Sequence, residues 1–302
     1  RAAMATRARA LEAFSYADAR DAWLVDDGDG LAFALIGVTP ERRHTIAAIY
    51  GGLTLRNGVP IGYLQADVVG RTAAISFNTF DTFRGGEAAF TFARLLAALR
   101  ATFGTTSFSI EPYQLGQGND EGIESGAWWF YYKLGFRPRD AATRGRVRAE
   151  LAKMQRNPRY RSAPDTLRAL ARRHVFLDAD PAHPHPLPPL AALGLRAGQT
   201  LSRRAAGDRE RALDECVSDA LRSCGVASLR GVRDDEATAW RRWAPLVTML
   251  DPAAWPDAER RALADVIRAK GGRSEREFVA RYAAHPRLDA ALHRLGSRAR
   301  AR

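Results

Sequence analysis

The 302-residue chain has few cysteines and no long apolar run. Cys216 and Cys224 are too few for a disulfide framework, so the sequence favours a reduced compartment. No apolar stretch approaches the ~18 to 20 residues that a membrane helix needs, and the N-terminal residues lack the apolar segment of a signal peptide. The sequence therefore predicts a cytoplasmic protein without a membrane partner. Because it begins at Arg1, with Met4 close behind, a piece of a longer protein is also compatible with it.

The sequence also lacks internal repeats of fixed period and residues at the spacings typical of metal ligands. His183 and His185 lie in the proline-dense segment HPHPLPP, and no further ligand stands at a useful spacing from them. We therefore predict no metal site. Proline at this density predicts a linker instead.

The net charge of +12 is unevenly distributed. Residues 1–140 are close to neutral, whereas residues 141–302 contain 32 Lys and Arg against 19 Asp and Glu. A basic region of this kind can attract nucleic acid or anionic lipid. Its arginines are interleaved with acids on predicted helices, and no RNA-binding motif is present. We therefore favour a solvated arginine-rich surface and keep nucleic-acid binding as the alternative.

Hydrophobic periodicity indicates an α+β protein. Residues 3–25 have the pattern of an Ala-rich amphipathic helix, and residues 31–38 fit either a strand or a short helix. A meander of three antiparallel strands is predicted next, with the pair Asn57-Gly58 as the first hairpin turn. The three strands cover residues 51–56, 61–69 and 72–80.

A helix at residues 87–102 and a strand at residues 105–111 are predicted after the meander. The helix is expected to pack one apolar face on the sheet. That face consists of Phe90, Ala93, Leu96, Ala97 and Leu99. The glycine-rich loop that follows the strand carries Tyr113, Gln114, Asn119, Asp120 and Glu121, and it is either a site loop or a plain solvent loop.

The rest of the chain is predicted to be helical. The helices cover residues 143–156, 166–174 (capped by Asp165), 207–225, 234–250, 256–271 and 274–285. Trp240, Trp243 and Trp255 are expected to be core anchors rather than a base-stacking platform. The predicted division is an N-terminal helical segment (1–44), a sheet-containing domain (45–140), basic helices with the proline-rich linker (141–186) and a helical C-terminal domain (187–302).

The densest aromatic cluster is SGAWWFYYKLGFRP, at residues 125–138. Ser125 can cap a helix, and Gly135 can end it in the left-handed conformation. Pro138 favours an extended Arg137. This segment resembles the helix-to-strand motif A-x-x-x-Y-x-K-L-G-F of the GNAT superfamily of N-acetyltransferases. The matching residues are Ala127, Tyr131, Lys133, Leu134, Gly135 and Phe136, whereas Glu124 stands where the family often has Asn.

The resemblance implies a mixed, mostly antiparallel sheet flanked by helices over residues 45–140. The helical pattern of the later residues adds an all-α C-terminal region to this prediction. The resemblance also implies that the strand at 105–111 runs parallel to the strand at 72–80 and splays from it, so that the pantetheine of acetyl-CoA enters the gap. The cofactor-binding residues that it implies are Phe77, Asn78, Thr79, Phe80, Arg84, Gly85, Gly86 and Ala88.

The glycine loop matches the family pattern R/Q-x-x-G-x-G/A imperfectly. Counted from Arg84, Glu87 replaces the central glycine; counted from Phe83, Gly86 and Ala88 fit but the leading Arg or Gln is lost. A diphosphate would be repelled by Glu87. The alternative is that this loop is only a tight strand-to-helix turn.

Acyl transfer to an amine needs a base, donors that polarise the thioester and an acid near the departing sulfur. Tyr131 matches the family position that often protonates the thiolate, with core packing as its alternative role. Glu111 is the first candidate base, followed by Glu121 and Glu124. The expected function is acetyl-CoA-dependent N-acyl transfer to an unidentified small-molecule or protein amine. The alternative is a degenerate fold that binds no CoA and serves as a binding or assembly module.

Overall fold

A computed structural model describes residues 4, 12–83, 85–204 and 208–297. Within these residues, eight strands form one mixed sheet in the order β1-β2-β3-β4-β5-β6-β8-β7, with β5 and β6 as its parallel neighbours. The strands are β1 (Ala17–Gly28), β2 (Leu31–Val38), β3 (Ala48–Arg56), β4 (Val59–Val69), β5 (Thr72–Thr79), β6 (Ser107–Ile110), β7 (Arg137–Pro138) and β8 (Val175–Asp178). The predicted α+β class and the mostly antiparallel sheet are confirmed.

Helices occur between the strands and make up the C-terminal region. Those between the strands are α1 (Glu12–Ser15), α2 (Ala88–Phe103), α3 (Pro112–Leu115), α4 (Asp120–Glu124), α5 (Ala127–Lys133), α6 (Ala141–Arg156) and α7 (Pro164–Leu170). Those that follow the sheet are α8 (Leu190–Arg203), α9 (Arg209–Cys224), α10 (Asp234–Leu250), α11 (Asp257–Lys270), α12 (Glu275–Ala283) and α13 (Pro286–Ser297). The prediction of a helical C-terminal region is confirmed, and none of the described helices is long and apolar enough to cross a membrane.

The hairpin between β3 and β4 has the predicted turn. Asn57 and Gly58 have φ angles of +49° and +78°, and Arg56 pairs with Val59 across the turn. Positive φ at both central residues matches the right-handed twist of the two strands.

The predicted helix at residues 3–25 is helical at Glu12–Ser15 but wrong from Ala17 onward, where the chain forms a strand. Residues 5–11 lie outside the described residues, α1 spans four residues, and β1 then pairs with β2. The alanines favour a helix locally, but pairing along β2 and the hydrogen bonds accepted by Asp21 outweigh that preference. Residues 31–38 form the strand β2. The sheet therefore begins well before residue 45.

The end of the sheet also differs from the prediction. Helix α7 starts at Pro164 and stops at Leu170, with Ala163 rather than Asp165 at its N-cap. The chain then forms β8, which inserts between β6 and β7. A strand of four residues is too short for its periodicity to distinguish it from a helix. The sheet thus extends beyond residue 140, and residues 139–174 form an insertion between its last two strands.

Helices α1 and α2 lie on opposite faces of the sheet. The ring of Tyr50 lies 4.6 Å from that of Phe103 in α2, whereas a Cβ on the next residue, Gly51, would lie 2.9 Å from Ala13 in α1. Neighbouring residues of a strand point to opposite faces, which explains this arrangement. Gly51 thus allows α1 to approach the strand closely.

The sheet-facing side of α2 is not the predicted one. Phe92 is fully buried against Phe77 and Tyr131, whereas Phe90 is exposed. The buried residues of the helix are Thr91, Phe92, Leu95, Ala98, Leu99 and Phe103. Of the predicted face, Leu99 is buried, Leu96 is half-buried, and Ala93 and Ala97 are exposed. Apolar residues occur on two sides of α2, so its pattern did not determine the buried side.

The C-terminal helices are joined to the sheet through a buried polar network. Both carboxylate oxygens of Asp21 accept hydrogen bonds: from Trp23 Nε1 (2.7 Å), Tyr50 OH (2.8 Å), Ser274 Oγ (2.7 Å) and Glu275 N (3.0 Å). Around it, α12 packs against β3, β4 and α2. The network is a structural connection between the first strand and a helix near the end of the described chain.

A second part of this network involves Arg43 and Lys270. Arg43 Nη1 donates to the carbonyl oxygens of Lys270 (2.9 Å) and Gly272 (2.7 Å). Lys270 Nζ donates to Ala47 O (2.8 Å) and to the buried carboxylate of Glu275. These contacts pair Lys270 with one oxygen of Glu275, and Arg43 Nε lies 4.0 Å from the other oxygen, which reduces the cost of burying the charges.

Trp240 and Trp243 are fully buried in α10, as predicted, and Trp255 is half-buried against His285. Cys216 and Cys224 are buried in the neighbouring helix α9.

We expect neither cysteine to react with a thiol reagent in the native protein at pH 8. Burial raises the pKa of Cys224 to about 11, so this thiol stays protonated, and Cys216 is fully buried. Titration with Ellman's reagent should detect no thiol in the native protein and both after unfolding in guanidinium. A native thiol that reacts within seconds would contradict the packing of α9.

Candidate functional site

The two parallel strands of the sheet separate after a short paired segment. Strands β5 and β6 pair at Thr72 with Ser107, Ala73 with Phe108 and Ala74 with Ser109. Beyond these pairs β5 continues to Thr79, whereas β6 ends at Ile110 and Pro112 begins α3. Proline has no N–H for a sheet hydrogen bond, so it suits this end of the strand. A gap therefore opens beside the second half of β5, as the family resemblance implies.

A cavity of about 660 Å³ lies at this gap. Its lining combines aromatic rings, hydroxyls, amides and one carboxylate. The lining residues are Tyr63, Gln65, Ser76, Phe77, Asn78, Thr79, Ala88, Tyr113, Gln114, Asn119, Glu121, Gly122, Ser125, Ala127, Phe130 and Tyr131. The volume and the mixture of apolar and polar groups are those of a small-molecule site.

Polar side chains line one face of β4 and β5. Tyr63 pairs with Asn78 and Gln65 with Ser76, so all four project to the same side of the sheet. Asn78 Nδ2 donates to Tyr63 OH (3.2 Å), and Gln65 Nε2 donates to Asp67 Oδ1 (3.0 Å). The hydrogen bonds hold these side chains in place beside the cavity.

The backbone of β5 directs some of its N–H groups into the gap. Phe80 N donates to Ile61 O of the neighbouring chain segment (2.9 Å). Successive backbone N–H groups of a strand point to opposite edges. Because the N–H of Phe80 points toward β4, those of Phe77 and Thr79 point away from β4 and toward the gap. The Phe80 amide is thus already hydrogen-bonded within the sheet, and its ring packs on Tyr63 (5.7 Å between centroids). A cofactor-binding role for Phe80 stays a prediction.

Tyr131 lies at the cavity, in the helix α5. Its ring packs edge-on against Phe92, Phe130 and Phe136, with centroids 5.2 to 5.8 Å away. Burial raises the pKa of the Tyr131 hydroxyl, so the group remains protonated around neutral pH. The side chain is part of the core, which was one predicted role, and it also lines the cavity; its role as an acid stays a prediction.

Two glycines set the ends of α5. Gly126 is its N-cap with φ +66°, whereas Ser125 ends the preceding helix α4; the prediction that Ser125 caps the aromatic helix is therefore wrong. Gly135 has φ +101°, which confirms the predicted left-handed stop. Arg137 then enters the extended strand β7, with its guanidinium over the ring of Tyr132.

The candidate bases are separated by the structure. Among the described residues that line the cavity, Glu121 is present and Glu111 and Glu124 are not. Glu111 is exposed at the N-cap of α3, and Glu124 is exposed on α4. Burial, together with the negative charge of Glu111, raises the pKa of Asp67 on strand β4. Asp67 is thus a half-buried carboxyl one hydrogen bond away from Gln65 of the cavity wall.

The glycine loop leads from β5 into α2. Gly85 and Gly86 are exposed, a Cβ on either would meet no atom within 4 Å, and Ala88 at the start of α2 lines the cavity. Arg84 lies outside the described residues. Glu87 is the N-cap residue of α2, and its exposed carboxylate lies 4.0 Å from the guanidinium of Arg56. The loop is therefore open to solvent, and a cation stands beside the acid that departs from the family pattern.

Several lining residues were not predicted from the sequence. Tyr63, Gln65 and Ser76 belong to predicted strands, and Phe130 to the aromatic helix. The alternation of Tyr63 and Gln65 with Leu64 and Ala66 was a usable signal, because it places two polar side chains on one face. In the described residues, no group of three His, Cys, Asp or Glu side chains is arranged to hold a metal ion.

Comparisons of the chain with protein-family models, with curated proteins and with solved structures gave no match.

Proposed function

We propose that this protein is an acyl-CoA-dependent N-acyltransferase of the GNAT type that transfers an acyl group, most simply acetyl, to an amine. The observation that carries the proposal is the cavity at the separated end of the parallel strands β5 and β6, with Tyr131 in its wall. Both features were expected from the motif at residues 127–136.

The strand order supports the same assignment. The resemblance implied an antiparallel meander, a helix after a glycine loop, and a strand returning parallel to the last strand of the meander. The described sheet has this order, and α2 connects the two parallel strands. In the proposal, the pantetheine arm lies between β5 and β6, and the diphosphate lies at the glycine loop before α2, where N–H groups of a helix N-terminus favour an anion.

The chemical step assigns roles to groups at the gap. The N–H of Phe77 points toward the space where the thioester carbonyl oxygen would lie and can stabilise its developing charge. The amine nitrogen forms the new C–N bond as the C–S bond breaks. Glu121, directly or through water, takes the proton that the nitrogen loses. Burial keeps the Tyr131 hydroxyl protonated at neutral pH, so it can donate a hydrogen bond to the departing sulfur, although its raised pKa makes it a weaker acid than an exposed tyrosine.

One observation favours the alternative, a fold of this type that binds no CoA and serves as a binding or assembly module. Glu87 places a carboxylate at the first turn of α2, where the diphosphate would lie. Arg56 stands within 4.0 Å and reduces this repulsion. The two functions therefore differ in whether the loop accepts a diphosphate.

Calorimetric titration with acetyl-CoA distinguishes them. For a transferase we expect binding with a Kd in the range of about 1 µM to 1 mM that is usual for enzyme substrates. Glu87→Gln should tighten binding by up to about fivefold, because exposed charges interact by no more than about 1 kcal/mol. Absence of both binding heat and thermal protection at millimolar acetyl-CoA, in the native protein and in Glu87→Gln, would reject the transferase.

A further inference from the structure

The β7–β8 insertion, residues 139–174, carries a large local excess of positive charge within the described part of the chain. These residues contain eleven Lys and Arg and three Asp and Glu. The insertion forms α6, α7 and the segment between them, and it contacts the helices at the cavity: Arg168 Nη2 lies 3.4 Å from Asp120 of α4, and Trp129 Nε1 of α5 donates to Ser162 Oγ (3.1 Å). It is a separate surface of the molecule, not part of the cavity wall.

The acids of the insertion are already engaged. Asp140 accepts the N-cap hydrogen bond from Thr143 N (2.8 Å). Asp165 pairs with Arg168 at 3.1 Å. The third acid, Glu150, is buried and accepts hydrogen bonds from three groups of the same segment: Lys153 Nζ (2.7 Å), Tyr160 OH (3.0 Å) and Ser162 Oγ (2.5 Å). Arg173 interacts electrostatically with Asp140 at longer range, and, apart from Arg168, the other exposed arginines have no carboxylate of the insertion beside them.

Eight arginines of the insertion are exposed and have no carboxylate within 4.0 Å among the described residues. They are Arg144, Arg146, Arg148, Arg156, Arg159, Arg161, Arg172 and Arg173.

The C-terminal helices behave differently, although they too are rich in arginine. Arg211 pairs with Glu215, Arg222 with Asp219 and Arg281 with Glu277. Other exposed arginines of these helices, such as Arg209, Arg261 and Arg294, have no ion pair among the described residues, but acids nearly balance the cations there: residues 175–297 contain 19 Lys and Arg and 17 Asp and Glu. The excess positive charge is local.

The chemistry of this surface fits phosphate groups better than a lipid bilayer. Ten of its eleven cations are arginines, whose guanidinium groups form paired hydrogen bonds with phosphate oxygens. Helices that insert into a bilayer surface present large apolar side chains, and the exposed large hydrophobic residues of the described chain all lie outside residues 139–174. Helix α6 is about 24 Å long at 1.5 Å per residue, which spans roughly seven nucleotides of one strand.

We propose that the β7–β8 insertion binds the phosphate backbone of a nucleic acid without sequence specificity. The contacts are made by the exposed arginines of α6 and of the segments that flank it. Binding releases counterions from the nucleic acid, so the affinity depends steeply on salt concentration.

The test measures fluorescence anisotropy of labelled DNA and RNA oligonucleotides of about 20 nucleotides, a length that exceeds the span of α6. Between 50 and 200 mM salt we expect the affinity of the native protein to fall by about 100-fold, which corresponds to roughly four phosphate contacts. The variant Arg144→Ala/Arg146→Ala/Arg148→Ala should bind at least tenfold more weakly at low salt, with a shallower salt dependence. Alanine favours the helix, so α6 should stay folded, and circular dichroism checks this.

The matched control is Arg211→Ala/Arg222→Ala/Arg281→Ala, which removes the same charge from paired positions. It should retain native affinity within about twofold, because charges beyond a Debye length of about 10 Å are screened. Equal effects of the two triple variants would overturn the proposal, as would salt-independent binding or none. Co-sedimentation with phosphatidylserine vesicles provides a further arm, and binding to vesicles without binding to oligonucleotides would assign the surface to membranes and reject a nucleic acid.

Discussion

Asp21→Ala is expected to destabilise the protein by about 3 to 5 kcal/mol, the usual cost of breaking a buried charged network. Asp21 is fully buried, and four donors from three parts of the chain converge on its carboxylate. The substitution leaves Tyr50 OH, Ser274 Oγ and Glu275 N without their acceptor in a dry interior, where each unmade hydrogen bond is costly. The midpoint of urea unfolding, followed by tryptophan fluorescence, measures the effect.

Asp26→Ala is the control for this substitution. Asp26 lies on the same strand but is exposed, and its carboxylate accepts one hydrogen bond, from Gly28 N at 3.0 Å. Removing it should change stability by no more than about 0.5 kcal/mol, as is usual for surface positions. Similar unfolding midpoints for the two variants would show that the network at Asp21 does not hold the C-terminal helices on the sheet.

Tyr131→Phe is expected to lower kcat for acyl transfer by about 100-fold or more, the usual contribution of a positioned proton donor. Phenylalanine retains the ring that packs against Phe92, Phe130 and Phe136, so the core should tolerate it. The Kd for acetyl-CoA should change little, since the hydroxyl acts on the departing sulfur. Release of free CoA, followed with a thiol-reactive dye and an excess of polyamine or peptide amine as acceptor, measures the rate.

Tyr132→Phe provides the comparison within the same helix. Tyr132 stacks on Trp128 and lies beneath Arg137, away from the residues of the cavity wall. The kcat of Tyr132→Phe should stay within about twofold of the native value, because this substitution removes no proton-transfer group. If both variants transfer acyl groups at the native rate, another group supplies the proton to the thiolate.

The pH profile offers an independent check on Tyr131. Because burial raises its pKa, the hydroxyl is protonated across the working range of the enzyme, and its loss of a proton should not limit the rate below pH 10. A rate that falls with a midpoint near pH 8 only in the native protein, and not in Tyr131→Phe, would place the Tyr131 pKa far lower than its burial allows.

Local patterns were sufficient for much of the fold. The Asn57-Gly58 turn was predictable because both residues accept positive φ, and α10 was predictable because its apolar residues recur at helical spacing. Strand β8 and the buried side of α2 were not. The four residues of β8 are too few to show a periodicity. Helix α2 has apolar residues on two sides, so its buried side is determined by contacts with distant residues such as Phe77 and Tyr131.

The candidate site was predictable only as far as the motif reached. Tyr131 and three residues of β5 follow from the resemblance and line the cavity. Glu111 was placed correctly at the end of β6, but it occupies the exposed N-cap position of α3 and does not line the cavity. The Asp21 network was invisible in the sequence. Its members Asp21 and Glu275 are 254 positions apart, and no local pattern relates a buried acid to donors so distant.

That separation bears on how the protein is made. During synthesis at about 5 to 20 residues per second, Asp21 leaves the ribosome at least about 10 seconds before the backbone of Glu275 can reach it. Until then the carboxylate of Asp21 lacks its hydrogen bonds from Ser274 and Glu275, and Asp21 and Tyr50 are not yet covered by the C-terminal helices. We therefore expect β1 to become stably ordered last in the sheet. Nascent chains that end before Ser274 should remain protease-sensitive around β1.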